Sequence, residues 1–161
     1  MPPDQHLTLR PFCESDAAVI EPWLQEPALS LPPGLARRVW ARRMVADRGI
    51  LARVGVVGGI VLGFCRLDCG PDRVAELTLV VAPGHRRQGL GRKMLEGLLV
   101  EARRRGIWRV HAMVDPGNRE ALEFFVDQSF EQEGGDGVGS RLRLVRLVHA
   151  GDHREPLEIE V

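Results

Sequence analysis

Apolar and polar positions along the chain change period several times, and each change predicts an element. Leu7 to Phe12 alternates as a strand does. Ser15-Asp16 then offers a helix cap ahead of Ala17, Ala18, Val19, Ile20 and Trp23, with Pro22 predicting a short or kinked helix. Glu26 to Gly34 carries three prolines and reads as loop. Leu35 to Asp47 sets Val39, Trp40, Met44 and Val45 among arginines, as a helix ending near Gly49 would.

Strand periods return from Ile50 to Ala82. Ile50 to Val57 and Ile60 to Leu67 flank Gly58-Gly59, a two-residue hairpin signal. Gly55 to Gly63 lacks the spacing of a dinucleotide loop, and no helix follows it. A turn over Asp68 to Arg73 leads to a third strand, Val74 to Ala82, stopped by Pro83-Gly84. Leu90, Met94, Leu95, Leu98, Leu99 and Ala102 next recur at the helical period. Arg92, Lys93, Glu96, Glu101 and Arg103 to Arg105 take the opposite side, and Gly106 closes the helix. Ile107 to Asp115 predicts a strand, Pro116-Gly117 a turn, and Asn118 the cap of a helix through Gln128 with Ala121, Leu122, Phe124, Phe125 and Val126 as its apolar residues. A strand beginning at Phe130, a turn over Gly134 to Gly139 and a strand over Arg141 to Val148 complete the order β-α-α-β-β-β-α-β-α-β-β.

Composition narrows the classes. The length of 161 residues suits one domain, here 5–149, with 150–161 as a tail or an added edge strand. Formal net charge is zero, so no global field draws the protein to nucleic acid or an anionic membrane. Arg103-Arg104-Arg105 reads as a solvated helix end that suits the helix dipole. Cys13, Cys65 and Cys69 are too few and too irregular for a disulfide framework, and no pair of further ligands makes them a metal site. The start of the chain lacks a basic and apolar leader, and no apolar run nears the roughly 20 residues of a membrane span. The expected location is cytoplasmic.

The chemistry is concentrated where the third strand passes into the long helix. Arg86, Arg87, Gln88, Gly89, Leu90, Gly91 and Arg92 join a strand to a helix N-terminus, whose first N–H groups have no partners within the helix. Such an end binds a diphosphate, glycines let the anion approach, and arginines add charge. Val81-x-Pro83-x-x-Arg86-x-x-Gly89-x-Gly91, followed by helix, strand and Asn118-x-x-Ala121-x-x-Phe124-Phe125 ending at Phe130, resembles the GNAT N-acetyltransferase superfamily over roughly Leu7 to Val148. Leu9-Arg10-Pro11, Asp16-Ala17 and Gly63 fit the same resemblance.

The resemblance implies an α/β GNAT fold, a mixed, mostly antiparallel sheet flanked by about four helices. It implies acetyl-CoA as co-substrate, held by the Arg86–Arg92 loop, by strand backbone at Leu79, Val80 and Val81, and by Asn118 and Phe125. Its implied reaction is direct acetyl transfer to a primary amine on a small molecule or peptide, with Glu76 and His111 as alternative bases. A homodimer formed through the last strands is also an expectation of the resemblance. A non-catalytic acyl-CoA sensor is the alternative, kept open because Phe125 stands where many relatives carry the tyrosine that protonates the leaving thiolate. The chain has no tyrosine at all. Ser129 replaces the usual glycine before Phe130, and its hydroxyl is a candidate for a hydrogen bond near the sulfur.

Overall fold

The computed structural model describes residues 6–25, 37–134 and 141–148. Its element order matches the expected one. Strand β1 (Leu7–Pro11) leads through a 3-10 turn to α1 (Ala17–Ile20) and a second 3-10 turn, Glu21–Gln25. Helix α2 (Arg37–Ala46), strands β2 (Ile50–Val57), β3 (Ile60–Cys69) and β4 (Val74–Val81), and helix α3 (Leu90–Arg104) follow. Strand β5 (Arg109–Val114), helix α4 (Arg119–Asp127) and strands β6 (Glu131–Glu133) and β7 (Leu142–Leu147) finish it. Pro22 explains why the first helical segment breaks into short turns: it has no N–H to continue an α-helical ladder. The loops expected at Glu26 to Gly34 and over 135–139, and the tail 150–161, lie outside the described residues.

The strands form one sheet in the order β1-β2-β3-β4-β5-β7-β6, antiparallel except where β4 meets β5. Gly58 and Gly59 both take positive φ, 57° and 79°, as the tight hairpin between β2 and β3 requires. Strand β3 runs two residues farther than Leu67, so the following turn begins at Gly70.

Alternation along β3 separates two faces. Gly63 faces α3, because a methyl group there would overlap Met94 Sδ. Cys65 and Leu67 share that face and are fully buried. On the opposite face Phe64 meets Phe12 edge-on at 5.7 Å between centroids, and Arg66 reaches Met44 of α2. The sheet is thus covered by α3 and α4 on one side and by α1 and α2 on the other. Leu90, Met94, Leu95, Leu98, Leu99 and Ala102 are all buried, which bears out the helical period.

Two side chains depart from the expected pattern. Glu101, assigned to the solvent side of α3, is 9% exposed. Arg53 of β2 reaches it with Nε and Nη2, at 3.1 and 2.9 Å to Oε1, so a charge partner on the sheet offsets the cost of burial. Val126, counted among the apolar residues of α4, is 60% exposed, because the packed face runs through Ala121, Phe124 and Phe125. The Ser15-Asp16 cap also works differently. Asp16 turns back to accept Cys13 N–H at 2.9 Å and two hydrogen bonds from Arg10, both at 2.8 Å. Burial alone would raise the Asp16 pKa, but these bonds hold it below the usual carboxylate value.

Candidate active site and its relatives

The parallel ladder between β4 and β5 is short: Val74 pairs with Arg109, Ala75 with Val110 and Glu76 with His111, and there it ends. Beyond Glu76, β4 keeps its pairing with β3 as far as Val81 against Gly63, but has no partner on its β5 side. The two strands part, and a cavity of about 480 Å³ opens between them. One wall is β4 from Glu76 to Val81, another is β5 from Ala112 to Val114 with Asp115 just beyond it, and a third is α4 with its cap Asn118 and Ala121, Phe124 and Phe125. The loop into α3 closes the end.

That loop has the backbone an anion site needs. Gly89 caps α3 with φ 79°, a left-handed angle that glycine takes without strain. No side chain caps the helix, and Lys93 N–H to Gly89 O at 3.2 Å is its first turn of bonding. The space where a side chain would stand on Gly84 or Gly89 is open to 4 Å. Gly91 is glycine for a different reason: a methyl there would press on Phe124 at 3.3 Å. Arg86 folds back to donate to Val81 O at 3.3 Å, tying the loop to the strand end. Exposed Arg87 reaches across the mouth to Glu120 of α4 at 3.6 Å.

Asn118 does what its position predicts, accepting Ala121 N–H at 3.1 Å as the cap of α4, and it lines the cavity as well. Leu79, Val80, Val81, Arg86, Arg87, Gly89, Leu90, Gly91, Arg92 and Phe125 line it too. Gln88 does not; it is exposed on the outside of the loop. Phe125 is buried, with its ring 5.2 Å from Phe124 and 5.0 Å from Phe130 between centroids. Ser129 is absent from the lining, and its φ of 67° gives the reason a glycine suits that place.

Register partners share a face, so Glu76 lies with Asp68 and His111 on the side covered by α1 and α2. Glu76 lines the cavity and makes no hydrogen bond or ion pair among the described residues. His111 is half-buried beside it, outside the cavity lining. Burial lowers the His111 pKa below its ordinary value, against the pull of the Glu76 carboxylate and with the help of Arg143 and Arg109. Thr78, His85, Asp115, Glu120, Gln128 and Arg141 also line the cavity and carried no motif of their own. Only the alternation of Arg141 and Arg143 in the last strand hinted at a shared face.

The profile of the acetyltransferase (GNAT) family matches residues 14–130. The chain belongs to that family. A mycothiol acetyltransferase of Cellulomonas flavigena is 39% identical over 66 residues, which is 37% of this chain and 19% of that protein. This GNAT chain therefore aligns with about a fifth of that curated relative's length. The fold resembles the spermidine N-acetyltransferase of Vibrio cholerae solved with CoA and spermine, with TM-score 0.76, 17% identity, and 89% and 96% of the two chains covered. It also resembles yncA of Salmonella typhimurium, solved with its cofactor acetyl-CoA, with TM-score 0.72, 21% identity, and 94% and 98% covered. The GNAT fold is the expected one: a seven-stranded, mostly antiparallel sheet among the described residues, flanked by helices. Among those residues no helix is long and apolar enough to cross a membrane.

Proposed function

We propose that this GNAT protein catalyses transfer of the acetyl group of acetyl-CoA to a primary amine, by direct attack and without a covalent enzyme intermediate. The observation that carries the reading is the parting of β4 from β5 after Glu76 and His111, which joins an unpaired strand edge to an uncapped helix N-terminus. Leu79, Val80 and Val81 present backbone donors and acceptors to an extended amide-bearing arm. Arg86, Arg87, Arg92 and the first N–H groups of α3 hold a diphosphate over Gly89 and Gly91. When bound, acetyl-CoA supplies a thioester carbon for attack and a thiolate as leaving group.

The protein's own part is positioning and proton transfer. An amine attacks only when neutral, and a lysine-type amine with a pKa of about 10.4 arrives protonated. Glu76 takes that proton, directly or through water, from the face opposite α3. His111 is neutral near pH 7, since its pKa is lowered, and it orients Glu76 or accepts the proton in its place. Thr78, one pleat along β4 on the same face, has the nearest hydroxyl on the strand. Phe125 contributes an apolar wall and no proton. A thiol pKa of about 8.5 lets the thiolate depart without a proton donor, but more slowly than with one.

Titrating acetyl-CoA while following the melting temperature tests the binding half of this reading. At about 100 times Kd a ligand adds roughly 2.7 kcal/mol, a shift of about 5–10 °C for a chain of this size. Gly89→Glu with Arg86→Glu removes the shift. No shift in the parent protein rejects the proposal. A non-catalytic sensor remains the second reading, favoured by the missing hydroxyl at Phe125; it predicts the same shift without turnover. A homodimer through the last strands is proposed as well, since the short edge strand β6 is exposed throughout. Light scattering that shows a monomer rejects it.

A further inference from the structure

We infer that the acceptor amine also carries a carboxylate, and that Arg143 and Arg141 recognise it; the inference rests on the acyl-transfer reading above and adds the class of acceptor. The argument begins with which charges on the α1 and α2 face are already matched. Arg66 grips Asp68 with two bonds, at 2.9 and 2.8 Å. Arg109 is bonded to Glu133. These two pairs cancel one another's charge and leave little for a ligand.

Among the described sheet residues of that face Glu76, Glu131 and Arg143 are not so matched, and Arg141, just before β7, joins them at the cavity. Glu76 has no bonded partner among the described residues, and neither Arg141 nor Arg143 has one there. The register fixes where they stand. His111 pairs with Val145 and Met113 with Arg143, so Arg143 lies two residues farther along the sheet than the Glu76–His111 row. At 3.3 Å per residue this is about 7 Å along the strands. Arg141 comes one residue before β7, just past the last pair of that ladder, Val114 with Leu142. Arg146 makes an independent check of facing, since it belongs to the opposite face and does donate to Gln128 O of α4, at 3.0 Å. Arg141 lines the same cavity as Glu76, Thr78 and Met113, and Arg143 stands close enough to His111 to lower its pKa.

The face therefore offers a carboxylate where the amine reacts and guanidiniums farther along, with apolar Met113 between them. That pattern complements an ammonium joined to a carboxylate a short chain away. Arg143 is also two strands from Glu76, about 10 Å across the sheet, so their backbones are about 12 Å apart. An extended peptide unit covers about 3.3–3.6 Å, so with both side chains reaching inward a dipeptide or tripeptide, or an amino acid bearing a side-chain amine, bridges the gap. Arginine suits the task because its planar fork meets a carboxylate with two parallel bonds. A polyamine would need a second free carboxylate where Arg143 stands. Asp115, beyond the end of β5, accepts Gly117 N–H on Oδ1 at 2.8 Å, and the unbonded Glu131 lies in the Glu76–His111 row on β6 rather than in the Arg143 row.

The test compares dipeptides as free acids with the same dipeptides as C-terminal amides, and includes spermidine. We expect kcat/KM for the free acids to exceed that for the amides by tenfold or more. Arg141→Gln with Arg143→Gln should remove the preference through KM rather than kcat, with the acetyl-CoA melting shift retained as proof of folding. Equal rates for acid and amide, or a preference for spermidine that survives the double substitution, overturn the inference. Calorimetric titration of the free-acid dipeptide into the CoA-loaded protein separates the two claims. Binding of the acid but not the amide, without turnover, supports the recognition site and rejects the acyl-transfer reading; no binding of the acid rejects the inference itself.

Discussion

Glu76 and His111 are the last register partners of the parallel ladder between β4 and β5, and the cavity begins where their pairing ends. A parallel pair puts both side chains on one face, so the same step that opens the cleft sets a carboxylate beside an imidazole at its root. Replacing Glu76 by Gln keeps the shape and removes the base. We expect kcat to fall by about 10²–10⁴-fold, the range for general acid–base catalysis, with the acetyl-CoA melting shift unchanged. An unaltered kcat assigns the proton transfer to another group.

His111 gives a prediction in pH. Its folded pKa lies below the unfolded value of about 6.5, so between those two values the unfolded chain binds more protons. Stability from this group is fully present above about pH 6.5 and is lost as pH falls through the lowered folded pKa. His111→Gln should flatten that part of the melting-temperature profile. A profile with the same slope in parent and variant would place the dependence elsewhere.

Phe125 invites the reverse experiment. It lines the cavity within a cluster of three phenyl rings, and Phe125→Tyr adds a proton donor with little change of volume. If protonation of the thiolate limits turnover, kcat should rise by about tenfold or more. We expect that rise, measured as release of free thiol. An unchanged kcat would show that leaving-group protonation is not limiting.

The long helix was legible because its apolar period is regular, and the anion loop because Gly89 and Gly91 stand where a strand meets that helix. What the sequence could not show was pairing across the sheet. Glu101 has the spacing of a solvent-facing residue; only the register that sets Arg53 beneath it makes it a buried partner. Arg141 and Arg143 read as ordinary polar positions of a final strand until β7 is found beside β5. Gly63 stood out only as a fit to the family resemblance, and its cause is a contact 31 residues away along the chain, with Met94.

That contact and that ion pair each give a stability prediction. Gly63→Ala pushes a methyl into Met94 and should cost about 1–3 kcal/mol by overpacking, without loss of the acetyl-CoA shift measured below the new melting point. Arg53→Met leaves Glu101 charged and buried without its partner and should cost about 3–5 kcal/mol, while adding Glu101→Leu should recover most of it. Chemical denaturation measures both. A double variant no more stable than Arg53→Met would mean that packing, rather than the stranded charge, sets the cost.

The most direct measurement of the central claim is amine-dependent release of free CoA thiol from acetyl-CoA, followed alongside the Gly89→Glu, Arg86→Glu protein. We predict release that rises and saturates with the amine in the parent protein and is lost in the variant. Acetyl-CoA binding with no release across primary amines, dipeptides and polyamines would contradict the claim that this cleft is an acetyltransferase site.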